Sequence, residues 1–126
     1  MIALVVLAAA GSTILGLSEL PTQPSDPGRC RTFLWLKREP PLRIAMIDES
    51  ARTMRLAQGK RSFDIAETAP GRYEGQGYRI TVRLEFGERP GITDGAVIDD
   101  GSMRIEPLAP NAMAMSIPVG GMRSCR

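Results

Sequence analysis

The residues best placed to do chemistry begin with Gly71-Arg72-Tyr73-Glu74-Gly75-Gln76-Gly77, a glycine-rich stretch just ahead of a strand pattern carrying Arg79. A phosphate cradle needs such glycines between a strand and a helix N-terminus. Here a strand follows. The stretch therefore reads as a binding loop presenting Arg72 and Tyr73 on a rigid β scaffold, or as a plain hairpin in which Tyr73 caps the core. A second group is Val97-Ile98-Asp99-Asp100-Gly101-Ser102. Two apolar residues ahead of Asp and Gly invite comparison with an aspartic protease loop, in which paired carboxylates share a proton. Asp100 stands where that loop needs a hydroxyl, and Asp-Gly is in any case a hairpin signal. Asp94, Asp99 and Asp100 lack the Asp-x-Asp spacing and closing Glu of a calcium loop. Cys30 and Cys125 complete the inventory; without a Cys-x-x-Cys they do not suit a reactive redox pair.

The 126-residue chain contains no His. That closes the Ser-His-Asp triad, the Cys-His nucleophile and any His-containing zinc site. No base, nucleophile or metal set is visible, so the chain reads as a non-enzyme with no cofactor and no metal. A net charge of +2 is too small to argue for nucleic acid. Arg43, Arg55, Arg79, Arg83 and Arg104 all fall on the polar phase of strand-like runs. They read either as a cationic stripe for an acidic partner or as a solvated face balanced by Asp64, Glu85 and Glu106.

These residues need strands to hold them. The dominant period from Cys30 onward is two. In Tyr78-Arg79-Ile80-Thr81-Val82-Arg83-Leu84-Glu85-Phe86 the apolar residues share one face and the polar residues the other, as in a half-buried strand. Leu42, Ile44 and Met46 repeat the rule, as do Met54 and Leu56, Phe63 and Ile65, and Met103 and Ile105. Met113, Met115, Ile117 and Val119 are expected to share a face near the end. Phe33-Leu34-Trp35-Leu36 is apolar throughout and suits a strand covered on both sides. Turns are expected at 48–52, Gln58-Gly59, Pro90-Gly91 and Asp100-Gly101. The expectation is an all-β domain over 30–126: a small antiparallel β-barrel or sandwich of seven to eight short strands.

The N-terminus bears on compartment. Residues 2–18 carry no charge and are rich in Ile, Leu, Val and Ala. Such a run reads as a signal peptide over 1–18, or as an uncleaved membrane anchor at the short end of the spanning range. Gly16 and Ser18 supply small residues for cleavage after Ser18. Cleavage within Ala8-Ala9-Ala10 would leave a very short apolar core. Residues 19–29, with Pro21, Pro24 and Pro27, read as a tether. The expected location is periplasmic or secreted, anchored to the inner membrane if the segment is kept. In an oxidising compartment Cys30 and Cys125 are most simply one disulfide.

Taken together, an apolar leader, an early Cys, a small all-β domain and a Cys near the end resemble the periplasmic and membrane-bound inhibitors of c-type lysozyme. The local pattern is similar too. Residues 52–63 match that family's strand, Gly-Lys turn and strand, with Gly59-Lys60 at the turn. Pro70-Gly71-Arg72-Tyr73 falls where the family carries Ser-Gly-x-x-Tyr, and Arg79 or Arg83 would supply the cation found downstream of it. The resemblance implies a protein partner with an acidic surface or cleft. Gly71, Arg72, Tyr73 and Arg79 would then meet it, the Arg fork pairing with cleft carboxylates. The competing reading is a membrane-tethered envelope assembly module without inhibitory activity.

Overall fold

The computed structural model describes residues 13–125. Its strands are β1 (Thr13–Ile14), β2 (Leu17–Ser18), β3 (Arg31–Leu36), β4 (Leu42–Asp48), β5 (Thr53–Gln58) and β6 (Arg61–Ala69). They continue as β7 (Arg72–Gly75), β8 (Tyr78–Gly87), β9 (Gly95–Pro107) and β10 (Met115–Ser124). From β3 to β10 each strand pairs antiparallel with the next, and β10 returns to pair with β3. The β5–β6 pairing completes the ring, giving a closed up-and-down barrel of eight strands. Closure removes the unpaired edges that an open sheet of this size would present. No helix forms among the described residues.

The barrel follows from the alternation. Successive side chains on a strand point to opposite faces, so the apolar phase of every strand enters the lumen. Leu34, Ile44, Leu56, Ile65, Tyr73, Ile80, Met103 and Val119, one from each wall strand, belong to a single buried cluster. Cys30 and Cys125 form a disulfide across a sequence separation of 95. It sits at the seam where the first and last wall strands meet, next to the Arg31–Ser124 register pair.

The N-terminal hairpin is part of this body. β4 and β5 pair only from Met46 to Asp48 and from Thr53 to Arg55, then diverge. The chain inserts between them. Ser18 pairs with Ala57 of β5, and the Leu20 N–H donates to the Arg43 carbonyl of β4 at 2.8 Å. Leu17 joins the lumen cluster, while Leu20 packs outside with Met46, Ala57 and Phe33. The apolar run at β3 is therefore covered on both sides at Phe33 and Leu34. Residues 1–12 of the expected leader lie outside the described residues. The remainder, 13–18, forms the hairpin. The stretch expected as a tether lies against the wall: Gln23 accepts from Arg55, and the Pro24 carbonyl accepts from Arg31.

Three other expectations change. Asp100-Gly101 is not a turn but lies inside β9, where Asp100 faces Glu85 and Gly101 faces Leu84 across the ladder. Gly101 is needed because a Cβ there would stand 2.9 Å from the Val119 carbonyl oxygen. Phe86 is not core but 43% exposed, since the ten-residue β8 outruns the packed lumen and its register shifts after Glu85. Met113 and Met115 are exposed because Met113 precedes β10 and Met115 only begins it. The expected hairpin near Gln58-Gly59 closes at Gly59-Lys60, between β5 and β6.

Candidate functional site

The glycine-rich stretch is not a loop. Arg72 and Tyr73 lie in β7, bounded by a turn at Gly71 and another at Gln76-Gly77. Gly71 has φ +76°, and a Cβ there would stand 2.9 Å from the Val82 carbonyl oxygen. A glycine tolerates both conditions. Its carbonyl accepts from the Val82 N–H at 2.8 Å, which ties the turn to β8. Strand alternation then sends Arg72 outward and Tyr73 inward.

Tyr73 is 4% exposed, its side chain inside the barrel. Burial, then the adjacent negative charge and hydrogen bond of Glu67, push its phenol up to about 12. The neutral form is favoured in the fold, so this contribution to stability is complete below about pH 10, the ordinary tyrosine value, and is lost as pH rises towards about 12. An ultraviolet difference titration is expected to show Tyr73 still protonated near pH 11 in the folded protein and ionised when the chain unfolds. Tyr73→Phe should remove that late step. Native titration of Tyr73 near pH 10 would contradict the burial.

The outward face around Arg72 is set by register. Arg72 faces Thr81, which faces Arg104; Glu74 faces Arg79, which faces Glu106; Arg83 faces Ser102. Arg79 Nε lies 3.3 Å from Glu74 Oε2, an ion pair without hydrogen-bond alignment, and Arg104 lies 3.6 Å from Glu106. Elsewhere Arg55 grips Asp64 with two hydrogen bonds, Arg52 meets Glu67, Arg89 meets Asp99, and Arg29 meets Asp26 and Asp48. Arg123 grips Glu49 with two hydrogen bonds, which hold the Glu49 carboxyl below its ordinary value. Much of the expected cationic stripe is thus a mixed-sign solvated face. Arg72 and Arg83 differ: both are exposed, and neither has a carboxylate partner among the described residues.

Two concavities lie close by: Gly71, next to Arg72 in sequence, borders one, and Arg83 lines the other. At the end of the barrel that carries the disulfide, a mouth of about 260 Å³ is lined by Thr32, Ile47, Tyr73, Val82, Leu84 and Phe86, with Glu49 and the Gly71 turn at its rim. The opposite end is plugged by Ile14, Leu15 and Leu17. A second cleft of about 540 Å³ runs along Arg83, Glu85, Asp100 and Ser102. Of the four expected site residues, Gly71 shapes the turn and lines the mouth, Arg72 is exposed beside it on β7, Tyr73 is inside, and Arg79 is paired with Glu74. Sequence reasoning did not single out Phe86 as a surface residue. Its phase on β8 is the core phase, and nothing local tells where the lumen ends.

No group of His, Cys, Asp or Glu that could hold a metal ion occurs among the described residues, and no helix long and apolar enough to cross a membrane is found among them. No protein-family model, curated protein or solved structure matches the chain.

Proposed function

We propose that this small disulfide-stapled β-barrel is an exported, non-catalytic binding protein whose Arg72–Arg83 rim engages an acidic protein surface. A lysozyme-like hydrolase cleft is the partner class to test first. The observation that carries the reading is that the exposed Arg72 and Arg83 have neither a carboxylate nor a hydrogen-bond partner among the described residues, whereas seven arginines meet carboxylates and Arg31, Arg43 and Arg61 are held by hydrogen bonds to Pro24, Leu20 and Gln58. An unpaired Arg can form a bidentate contact with a carboxylate of another chain without first breaking an internal pair. Phe86 and the apolar mouth beside the rim supply the aromatic and apolar contact that protein interfaces favour next to Arg. The disulfide supports an oxidising compartment.

The test is a titration of c-type lysozyme, read as inhibition of cell-wall lysis. Arg72→Ala with Arg83→Ala should weaken inhibition by more than about a hundredfold, since each truncated, partly desolvated charge contact is worth ~2 kcal/mol or more. The fold should be untouched, because neither side chain holds another residue. Arg55→Ala, which breaks an internal pair instead, should leave binding near the wild-type level. Binding should also fall at high salt, where the screening length shortens to ~3 Å at 1 M. Failure of the oxidised, folded wild type to inhibit at ~50 μM, far above a ~1 μM dissociation constant of roughly 8 kcal/mol, would dismiss the hydrolase as the partner.

A further inference from the structure

Three of the four large apolar side chains exposed among the described residues, Leu108, Met113 and Met115, lie at one place. They belong to the connection between β9 and β10, residues 108–114, and to the first residue of β10. Strand direction puts this connection at the end of the barrel away from the disulfide, with the turns at 37–41, 59–60 and 76–77. The connection reads Leu-Ala-Pro-Asn-Ala-Met-Ala and carries no charge. It is a built turn. The Leu108 N–H donates to the Gly77 carbonyl at 2.8 Å, the Ala112 N–H donates to the Ala109 carbonyl at 3.2 Å, and Asn111 takes φ +64°. Its apolar side chains are thereby held out in water, Met113 with 78% of its surface exposed. Single exposed apolar residues are ordinary, but a contiguous group marks an interaction surface.

The charges around the loop point to the kind of surface. The turns at this end carry Lys37, Arg38, Lys60 and, at the start of β6, Arg61, against Glu39. Lys37 and Lys60 are the chain's only lysines, and neither has a carboxylate partner among the described residues. The turns at the disulfide end have the reverse balance, with Glu49, Glu88 and Asp94 against Arg52 and Arg89. An uncharged apolar tip ringed by cations is complementary to an anionic lipid surface, which offers hydrocarbon to the tip and phosphates to the ring. A protein interface is a poorer match, because Ala and Lys are depleted there. A second copy meeting this one end to end would set the lysines of one against those of the other.

We propose that this end of the barrel docks on an anionic lipid bilayer, with the side chains of Leu108, Met113 and Met115 entering the headgroup–acyl boundary while Lys37 and Lys60 meet lipid phosphates. Removal of the apolar side chains from water and the approach of the cations to the negative surface both favour the bound state. Penetration is shallow, because the remaining backbone N–H and C=O groups of the loop need water or headgroup partners. Arg72 and the Gly71 turn lie at the opposite end, so a docked barrel holds them away from the bilayer. The inference does not rest on the acidic-partner reading; a lysozyme titration without effect leaves it standing.

The test mixes the full oxidised chain with vesicles of phosphatidylcholine, with and without phosphatidylglycerol, and measures the bound fraction by flotation. Binding is expected on the anionic vesicles and should fall as salt rises. Lys37→Ala with Lys60→Ala should weaken it about twentyfold, the contribution of two cations close to an anionic surface. Arg52→Ala with Arg89→Ala removes the same charge from the opposite end and should leave binding near the wild-type level. Penetration is read locally, which keeps the apolar N-terminal run out of the signal. In a Trp35→Phe background, which removes the chain's only tryptophan, Met113→Trp should show emission that shifts to the blue on anionic vesicles and is quenched by brominated lipid. Ser50→Trp, in the turn between β4 and β5 at the far end, should show neither. Absence of binding to anionic vesicles overturns the proposal, as do equal effects of the two double variants or equal quenching at positions 50 and 113. A dimer in sedimentation equilibrium that Met113→Ser dissolves would overturn it in favour of a second copy.

Discussion

Replacing both cysteines, Cys30→Ser with Cys125→Ser, is expected to lower the unfolding free energy by ~4–5 kcal/mol. The bridge spans a sequence separation of 95, and a closed loop of that length removes about 4.7 kcal/mol of chain entropy from the unfolded state. Domains of this kind hold only ~5–15 kcal/mol in total, so the loss would approach the whole margin. Its position explains why the effect should be near the full entropic value. β3 and β10 are the first and last wall strands, and their pairing is the contact of greatest sequence separation in the barrel. In the oxidised unfolded chain the two ends of that seam are already together. The measurement is a denaturant midpoint for oxidised wild type against the double serine variant. A difference below ~1 kcal/mol would mean that the β3–β10 ladder closes the barrel without help from the bridge. The same reasoning predicts slower refolding of the reduced chain, because loop closure must then precede the pairing that rewards it.

The second large effect lies on β8. Ile80→Asp should leave the domain unfolded, while Thr81→Asp, one residue away, should change stability by less than ~1 kcal/mol. Ile80 is 0% exposed and sits in the lumen cluster with Tyr73 and Ile105. An aspartate there would lose a buried side chain, worth ~2–5 kcal/mol for large-to-small changes, and would add a desolvated charge without a partner. Thr81 faces outward with Arg72 on one side and Arg104 on the other in the ladder. An aspartate there gains weak attraction from two exposed cations. Circular dichroism and a chemical melt of the two variants make the comparison. Equal damage from both would show that the face assignment of β8 is wrong. Phe86→Ala extends the series, since it follows the core phase yet lies at the open mouth. Its cost should fall well short of a core truncation at Ile80.

Much of the wall was legible from residue order alone. The alternation of Tyr78, Ile80 and Val82 with Arg79, Thr81 and Arg83 states which face of β8 meets apolar surroundings, because a strand's side-chain period is two. A hairpin near Gln58-Gly59, which closes one residue later, and the pairing of Cys30 with Cys125 followed from equally local or compositional rules. Charge balance was legible too, in that carboxylates were spaced among the arginines of the polar phase. What the order of residues left open was every property set by distant partners. Arg72 and Arg83 stand unpaired because the residues facing them across the ladder are Thr81 and Ser102, a matter of register between strands. Phe86 is exposed although it follows the core phase, because β8 continues past the layer that Ile80 and Tyr73 fill. Asp100-Gly101 has the chemistry of a turn but is held in β9 by β8 and by the close approach of Val119. The sharpest case is the N-terminus. An uncharged apolar run has the same composition whether it is discarded as a leader or packed into a wall, since both environments reward removal from water. Only the gap between β4 and β5, created by their divergence beyond Arg55, gives residues 17–20 a place to be buried.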